Sequence, residues 1–223
     1  MTLRGTAPNL TPNHKMNATF LNYINVAPPI EKIYGRLGYT KGKTQLSPED
    51  EQITKQYIDE ALALITLKAS ITRVPVLDVQ TDSVKLVSGI TLSSTALAKL
   101  LSGCKEVLFM GSTAGSTIVE TIQRYSSGEN VTAAVVFDAV ASEMTDAALD
   151  WLVSYFNNGL RRENKCLTKR RFSAGYADFA LENQKLIYEI LEMKKLGVSL
   201  TNAFLLVPEK SVTALVGIRT MGE

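Results

Sequence analysis

Six consecutive residues, Arg171-Phe-Ser-Ala-Gly-Tyr176, combine side chains that suit recognition of a small charged ligand. The arginine guanidinium offers a fixed fork of donors that fits a carboxylate. The glycine permits a tight turn or a close approach of the backbone to a ligand, and the tyrosine supplies a flat ring with a polar tip. Together they suit a zwitterionic ligand that carries an aromatic base. A surface turn before a helix is the competing interpretation.

A second candidate is the glycine-rich turn Gly111-Ser-Thr-Ala-Gly-Ser116, which lies between an apolar run and a predicted helix. Helix N-termini bind anions, so Gly111, Ser112 and Gly115 are candidate lining residues of a ligand pocket. The turn lacks the GxGxxG pattern and the Gly-Lys-Ser/Thr ending of a P-loop. A tight turn with a serine cap explains these residues equally well.

Charged residues cluster in two places, and each cluster has two interpretations. Four carboxylates lie on one predicted helix, and two of them, Glu143 and Asp146, are three residues apart and share a face. With no histidine nearby, we expect a solvated face rather than a catalytic acid–base pair. Six Lys or Arg residues lie within Arg161–Arg171. They predict a solvated loop or a docking surface for an acidic protein. The four carboxylates are Asp138, Glu143, Asp146 and Asp150.

The residue types that are scarce limit the chemistry of this chain. His14 is the only histidine, which excludes a three-histidine metal site and argues against a Ser-His-Asp triad. Cys104 and Cys166 are 62 positions apart, outside any CxxC pair, and we interpret them as reduced thiols of a cytosolic protein. We therefore predict no catalytic acid or base and no metal site.

The composition is that of an ordinary globular protein. Of 223 residues, 45% are hydrophobic and 21% charged, and the net charge is +2, so nothing indicates a nucleic-acid or membrane-surface protein. No apolar run is long enough for a transmembrane helix. The N-terminus lacks a signal-peptide core, which favours the cytoplasm. We predict a mobile leader over residues 1–18 and one domain over 19–223.

The elements that position these residues follow from periodicity and caps. The order mixes helices with short strands and lacks βαβ alternation, so we predict an α+β fold with a largely antiparallel sheet. The last two strands bracket Pro208-Glu-Lys210, which is typical of a hairpin. The predicted helices are Ile30–Leu37, one beginning at Ser47, one capped by Ser93 or Ser94 and ending at Leu101, Thr117–Tyr125, about Val131 to Phe156, and Asn183–Leu196. The predicted strands are Ile71–Val79, Val84–Val87, Glu106–Met110, Phe204–Val207 and Ser211–Ile218.

Beyond Tyr176, the residues continue the first motif into an ordered pattern. The pattern resembles the C-terminal part of the activation domain of cobalamin-dependent methionine synthase, especially its short, stand-alone relatives. The stretch Glu106–Glu120 resembles that family's apolar strand, glycine turn and helix. The pattern consists of Arg171 followed by Gly175-Tyr176, a helix over Glu182–Lys195, Gly197-Val-Ser-Leu-Thr-Asn-Ala-Phe204, Pro208, and Ser211-Val-Thr-Ala-Leu-Val-Gly217.

This resemblance implies a bent antiparallel sheet with packed helices and S-adenosylmethionine as the ligand. Arg171 matches the arginine that pairs with the methionine carboxylate. Ser173 and Gly175 match positions along the ligand, Ser173 through its backbone, and Tyr176 matches the tyrosine beside it. No acid or base is implied, because the sulfonium is already activated and reduced cobalt is the nucleophile.

The implied role is that of a free-standing activation subunit of a split cobalamin-dependent methionine synthase, a methyltransferase of methionine biosynthesis. Cobalamin would come only with a partner protein, and a flavodoxin or ferredoxin would supply electrons. The chain departs from the family at Phe172 and Ala174, where prolines are usual, and it lacks the C-terminal aromatic pair. These departures leave open an interaction module for another corrinoid methyltransferase, with a reduced or lost ligand pocket. An unrelated small-molecule-binding domain is a third hypothesis.

Overall fold

A computed structural model describes residues 17–40 and 42–222 of the chain. His14 and most of the predicted leader lie outside the described residues, and the division into a leader and one domain stays a prediction. The α-helices are α1 (Ile30–Arg36), α2 (Pro48–Leu64), α3 (Thr95–Leu100), α4 (Ser116–Arg124), α5 (Val131–Leu160) and α6 (Asn183–Ile190). The strands are β1 (Thr19–Leu21), β2 (Lys68–Val79), β3 (Ser83–Leu86), β4 (Thr91–Ser93), β5 (Glu106–Thr113), β6 (Lys165–Leu167), β7 (Ser199–Leu200), β8 (Leu206–Val207) and β9 (Ser211–Thr220).

One antiparallel sheet forms the centre of the fold. Its strands run in the order β4-β3-β2-β5-β9-β6, and β1 also pairs with β2. The register between β2 and β3 shifts between Val76 and Asp78, and irregularities of this kind bend a strand. Strands β7 and β8 form a separate antiparallel pair. The predicted α+β fold with a bent, mainly antiparallel sheet is confirmed.

The central strand β5 is buried on both faces and separates two hydrophobic layers. Leu108 and Met110 face the layer that contains α1, α2, α4 and α5. Val107 and Phe109 face the layer that contains α3 and α6. Successive side chains of a strand point to opposite faces, so a strand covered on both sides has an uninterrupted apolar run. That run predicted a buried strand over Glu106–Met110, and the strand continues to Thr113.

Helix α5 has 30 residues, and its start at Val131 agrees with the prediction. The Asn130 side chain caps it by accepting the Ala133 N–H at 3.0 Å. Its end lies at Leu160 rather than Phe156. The expected stop at Asn157 is wrong, since Asn157, Asn158 and Gly159 are all helical. The Asn157 Oδ1 instead accepts the Leu167 N–H at 3.1 Å, which ties β6 to the helix.

The predicted helix Asn183–Leu196 is interrupted. Helix α6 ends at Ile190, and Glu192 adopts a left-handed conformation with φ 47° before a 3₁₀ turn over Met193–Leu196. Hydroxyl groups on β2 donate to the last carbonyls of the helix. Thr72 Oγ1 donates to the Ile190 carbonyl at 3.1 Å, and Ser70 Oγ donates to the Leu191 carbonyl. Hydrogen bonds from β2 to these two carbonyls therefore replace the backbone hydrogen bonds of the longer helix that periodicity predicted.

The predicted C-terminal hairpin is wrong, although both of its strands exist. Strand β8 pairs with β7, through Ser199 with Val207 and Leu200 with Leu206. Strand β9 pairs with β5 along eight residues and with β6 on its other side. A turn signal predicts a hairpin only when the two flanking strands pair with each other. Here β9 lies between β5 and β6 in the main sheet, so both of its edges already have partners other than β8.

Candidate functional site

The segment Arg171–Tyr176 lies along the outer edge of β9. Phe172 and Leu215 exchange both backbone hydrogen bonds, at 2.9 and 2.8 Å. Ser173 Oγ donates to the Thr213 carbonyl at 2.8 Å. The segment is therefore fixed to the sheet as a short extension beyond β6, rather than being a free surface turn.

Gly175 turns the chain away from this edge. Its φ of 87° is in the left-handed region that favours glycine. Its N–H donates to the Phe179 carbonyl at 2.7 Å, and the Phe179 N–H donates to the Tyr176 carbonyl at 3.0 Å. This turn leaves the Tyr176 side chain 67% exposed. Gly175 therefore shapes the site through its backbone.

A cavity of about 590 Å³ opens at this edge, beyond the point where β6 stops covering β9. We call it the β9-edge cavity. Its walls come from α5, from the start of α6, from the Arg171–Tyr176 segment and from the chain around β8 and β9. Three predicted site residues line it together, Arg171, Ser173 and Tyr176. The other lining residues are Asp146, Leu149, Phe172, Ala174, Leu181, Gln184, Phe204, Leu205, Leu206, Glu209, Ser211, Val212, Thr213 and Ala214.

The Arg171 guanidinium is already paired with carboxylates of α5. Its Nη1 lies 3.2 Å from Asp150 Oδ1 and 3.4 Å from the Asp146 carbonyl oxygen, and its Nη2 lies 3.8 Å from Asp146 Oδ1. The side chain is 27% exposed. A guanidinium has five N–H donors, so these contacts leave donors for a further anion. A ligand carboxylate at this place has to share Arg171 with two protein carboxylates.

Apolar side chains surround the mouth of the cavity. Tyr176, Leu181 and Leu205 line it and are exposed. Exposed apolar side chains that occur singly are ordinary. Several around one opening are typical of a surface that a ligand or a partner covers. We call these three residues the apolar rim.

Sequence reasoning missed two buried polar residues in the wall of the cavity, Gln184 and Thr213. Gln184 is 6% exposed and Thr213 is 2% exposed. Gln184 Nε2 donates to Thr213 Oγ1 at 2.8 Å, and Thr213 Oγ1 donates to Gln184 Oε1 at 3.0 Å. Gln184 precedes Ile187 and Leu191 at helical spacing, so a polar residue on the apolar face was the available signal.

The glycine-rich turn does not contribute to this cavity. Gly111 and Ser112 are buried in β5, and Gly115 is the N-cap of α4 with φ 91°. A Cβ at Gly111 would lie 2.5 Å from Met193 Sδ. Ser112 Oγ donates to the Thr145 carbonyl at 3.0 Å. These residues pack β5 against α5 and the 3₁₀ turn after α6.

The four carboxylates of α5 do not form the simple solvated face that we expected. Each pairs with a basic side chain, and the Glu143 side chain is only 11% exposed beside Arg36. Among the described residues, none of the four forms a hydrogen bond with another carboxylate. The pairs are Asp138 with Lys210 at 2.5 Å, Glu143 with Arg36 at 2.7 Å, Asp146 with Arg171 at 3.8 Å, and Asp150 with Lys32 at 3.3 Å and Arg171 at 3.2 Å.

The basic run Arg161–Arg171 contains residues that form ion pairs within the fold and residues that are exposed. Lys165 belongs to β6 and, with Arg73, binds Glu106 and Glu163. Hydrogen bonds from Arg73 and then Lys165 lower the pKa of Glu163 to about 2. Four other basic residues remain exposed around β6, and we call them the basic surface. They are Arg161, Arg162, Lys169 and Arg170.

Residues 17–40 and 42–222 contain no group of three His, Cys, Asp or Glu residues placed to hold a metal ion. None of their helices is long and apolar enough to cross a membrane. Cys104 and Cys166 are both free thiols, and burial raises the pKa of Cys104.

No family model matches the chain, and no curated protein sequence matches it. Among solved structures, it is similar to one described as the MetH reactivation domain bound to AdoHcy. That match has a TM-score of 0.64 at 12% sequence identity, and it covers 94% of this chain and 81% of the other. At this identity the similarity concerns architecture and does not carry function with it. The chain therefore has the fold of the MetH reactivation domain, as the family resemblance predicted.

Proposed function

We propose that this chain binds S-adenosylmethionine in the β9-edge cavity and serves as the activation subunit of a split cobalamin-dependent methionine synthase. One observation carries the proposal. The cavity brings Arg171, Ser173 and Tyr176 together, on a fold whose solved counterpart is described as bound to AdoHcy. Its volume of about 590 Å³ is within the usual range for small-molecule sites.

The residues divide the binding task by their chemistry. Arg171 donates to the methionine carboxylate, since a charge-assisted pair of hydrogen bonds is strong and directional. Ser173 and Gly175 set the path of the backbone beside the ligand, because their hydrogen bonds fix that segment to β9 and to Phe179. Tyr176 supplies a flat apolar face at the mouth.

Methyl transfer from this ligand needs placement more than acid–base chemistry. The carbon–sulfur bond of the sulfonium breaks, its electron pair stays on sulfur, and the methyl group passes to a nucleophile. We propose that the nucleophile is the reduced corrinoid of a partner protein. The role of this chain is then to hold the methyl group in line with that nucleophile, which can supply a large part of the rate.

The proposed partner is a cobalamin-binding methionine synthase subunit. We propose that the two proteins act together in the cytoplasm, in methionine biosynthesis. The apolar rim around the cavity mouth supports this proposal, since a partner that docks there would cover Tyr176 and Leu205, which are 67% and 56% exposed. Docking at the mouth would also exclude water from the reacting groups.

A second candidate function is an interaction module for another corrinoid methyltransferase, without bound S-adenosylmethionine. The state of Arg171 favours it, because Asp146 and Asp150 already occupy the guanidinium. If those pairs outcompete a ligand carboxylate, the fold would retain its docking surface and lose its ligand.

Calorimetry with S-adenosylmethionine and S-adenosylhomocysteine tests the ligand. We expect binding by the native chain and a loss of about tenfold or more for Arg171→Ala, because a charged hydrogen bond contributes about 1.5–3 kcal/mol. Arg170→Ala is the matched control, since Arg170 is exposed next to the site and should leave the affinity unchanged. Absence of binding at millimolar ligand would overturn the first proposal.

Capture of a corrinoid protein tests the partner and separates the two candidates. We expect the immobilised chain to retain a cobalamin-loaded methionine synthase fragment, and Leu205→Asp in the apolar rim to abolish retention. Retention of a different corrinoid protein, with no dependence on S-adenosylmethionine, would favour the second candidate.

A further inference from the structure

We infer that a groove at the C-terminal end of α5 is the docking site for an acidic protein that inserts one apolar side chain into it. The groove has a volume of about 450 Å³ and is lined by the last residues of α5, by the chain up to Glu163 and by Arg73 of β2. We call it the α5 groove. It shares no lining residue with the β9-edge cavity, so the inference goes beyond the proposed function and does not depend on the ligand of that cavity.

An ordered aromatic stack forms one wall of the α5 groove. Tyr155 lines the groove and is 59% exposed. Its ring stacks on Trp151, with the centroids 5.2 Å apart and the planes at 14°, and it meets Phe156 edge-on at 5.5 Å. Trp151 and Phe156 in turn pack against the core. An exposed ring that is already held in place loses little freedom when a partner covers it, and such rings are typical anchors of protein interfaces.

Gly159 keeps the groove open between this wall and the basic residues beyond it. It lies inside α5, four residues after Tyr155, and its φ is outside the left-handed region. A Cβ built on Gly159 would meet no neighbouring atom within 4 Å. Neither packing nor backbone conformation therefore requires a glycine here, although glycine is a poor helix former. Since Gly159 lines the groove, a longer side chain at this position would project into it and fill it.

The charges around the groove favour a protein partner over a small anion. Arg73 lines the groove, but Glu106 and Glu163 already bind its guanidinium at 2.6 and 2.7 Å. Glu163 also lines the groove, and its carboxylate would repel an anion placed inside. Arg162 lies at the margin, where it is exposed and forms no ion pair with any other described residue. It belongs to the basic surface, so the available positive charge surrounds the groove instead of filling it.

An apolar centre inside a polar margin is the usual arrangement of a protein interface. Tyr155, Phe156 and Leu160 supply the apolar centre, and the basic surface supplies the margin. The complementary partner carries carboxylates around one projecting apolar side chain, because matched potentials fix the orientation of a complex and disfavour other partners.

Trp151 makes the groove observable, because it is the only tryptophan of the chain and it stacks on Tyr155. Its fluorescence is measured while three blocked pentapeptides are titrated to millimolar concentration. The first peptide has a phenylalanine between two pairs of aspartates. The second has alanine in place of the phenylalanine, and the third has lysines in place of the aspartates.

Two variants fill the groove without removing any of its walls. Gly159→Leu places an apolar side chain in it, and Gly159→Gln is a second variant with a polar one. Both new residues favour a helix more than glycine does, so neither should lower the Tm. Gly35→Leu is the matched control, because Gly35 is also helical, also has open space at its Cβ position and lies outside the groove.

We expect the first peptide to change the Trp151 emission with saturation. Loss of its phenylalanine, or reversal of its charges, should weaken binding about tenfold or more, as removal of an interface anchor does. Both Gly159 variants should abolish the response, and Gly35→Leu should retain it.

Three results would each overturn the inference: no saturable response by the native chain, equal binding of the three peptides, or native-like binding by the Gly159 variants. S-adenosylhomocysteine affinity is measured on the same proteins and should be the same in all of them. Its absence would count against the proposed function alone, since the α5 groove is a separate site.

Discussion

At the scale of single residues, the charge balance around Arg171 decides how the cavity treats an anion. The guanidinium lies between two carboxylates of α5, with Asp150 at 3.2 Å and Asp146 at 3.8 Å. Partly exposed ion pairs of this kind contribute little to stability. Their larger effect is competitive, because each protein carboxylate takes donors that a ligand carboxylate needs.

Removal of one competing carboxylate should therefore strengthen ligand binding. We expect Asp150→Asn to tighten S-adenosylhomocysteine binding about two- to fivefold, the range of one partly exposed ion pair. Calorimetry measures the change. Asp59→Asn, which removes an exposed carboxylate of α2 outside the cavity, should leave the affinity as it is. Weaker binding by Asp150→Asn would mean that Asp150 orients Arg171 instead of competing for it.

At the scale of elements, the local parts of the fold were predictable and their partners were not. The cap at Ser47, the apolar run of β5 and the periodicity of α5 each depend on neighbouring residues, and each gave an element close to its observed place. The hairpin failed because β9 pairs with β5 and β6, which are distant in sequence. Pairing is a property of the whole sheet, so a turn signal alone does not determine it.

In the candidate site, too, the residues that are close in sequence were predictable, and those that meet only in the fold were not. Arg171, Ser173 and Tyr176 are close in sequence, and their spacing was sufficient to propose a ligand site. Gln184 and Thr213 are 29 positions apart and meet only in the fold. Asp146 was expected on a solvated face, since nothing local indicates that Arg171 lies beside it.

The loop after Tyr176 is held by another element, which gives a prediction at this scale. Asp178 accepts hydrogen bonds from Ser94 Oγ at 2.5 Å and from the Thr95 and Ala96 N–H groups at 2.7 and 3.2 Å. It therefore caps α3 from outside the helix, as carboxylates do at helix N-termini. The hydrogen bond from Ser94 is the main cause that lowers the pKa of Asp178 to about 2.

A depressed carboxyl pKa stabilises the fold above the unfolded value, and that stability is lost as pH falls through the folded value. We expect Asp178→Asn to lower the Tm at pH 6. The difference from the native chain should shrink as pH falls from about 4 to about 2, since the Asp178 pKa drops from 3.8 to about 2 on folding. Thermal unfolding by circular dichroism measures it, with Asp82→Asn as the control. A pH-independent difference would contradict the role of the charge.

At the scale of the whole molecule, the sheet separates two helix layers, and the candidate binding surfaces lie at its outer edge. The β9-edge cavity is where β6 ends, and the basic surface surrounds β6 itself. The small net charge of +2 does not indicate how unevenly the charges are distributed over the surface. The carboxylates of α5 are paired, whereas Arg161, Arg162, Lys169 and Arg170 are exposed. The molecule can thus present a positive region to one partner and an apolar rim to another.

We expect the basic surface to receive the acidic electron donor, which we propose to be a flavodoxin or ferredoxin. Charges at the edge of an interface act mainly on association rate and salt dependence.

Arg161→Glu with Arg162→Glu should weaken flavodoxin binding about tenfold or more at low salt, where each like-charge contact costs most. Fluorescence titration at low and high salt measures this effect. Lys55→Glu, an exposed charge reversal on α2, is the control for a charge reversal outside the basic surface. S-adenosylhomocysteine affinity should be the same in all three proteins, since the basic surface lies outside the cavity. Flavodoxin binding that ignores salt, or that Lys55→Glu weakens equally, would show that the donor docks elsewhere.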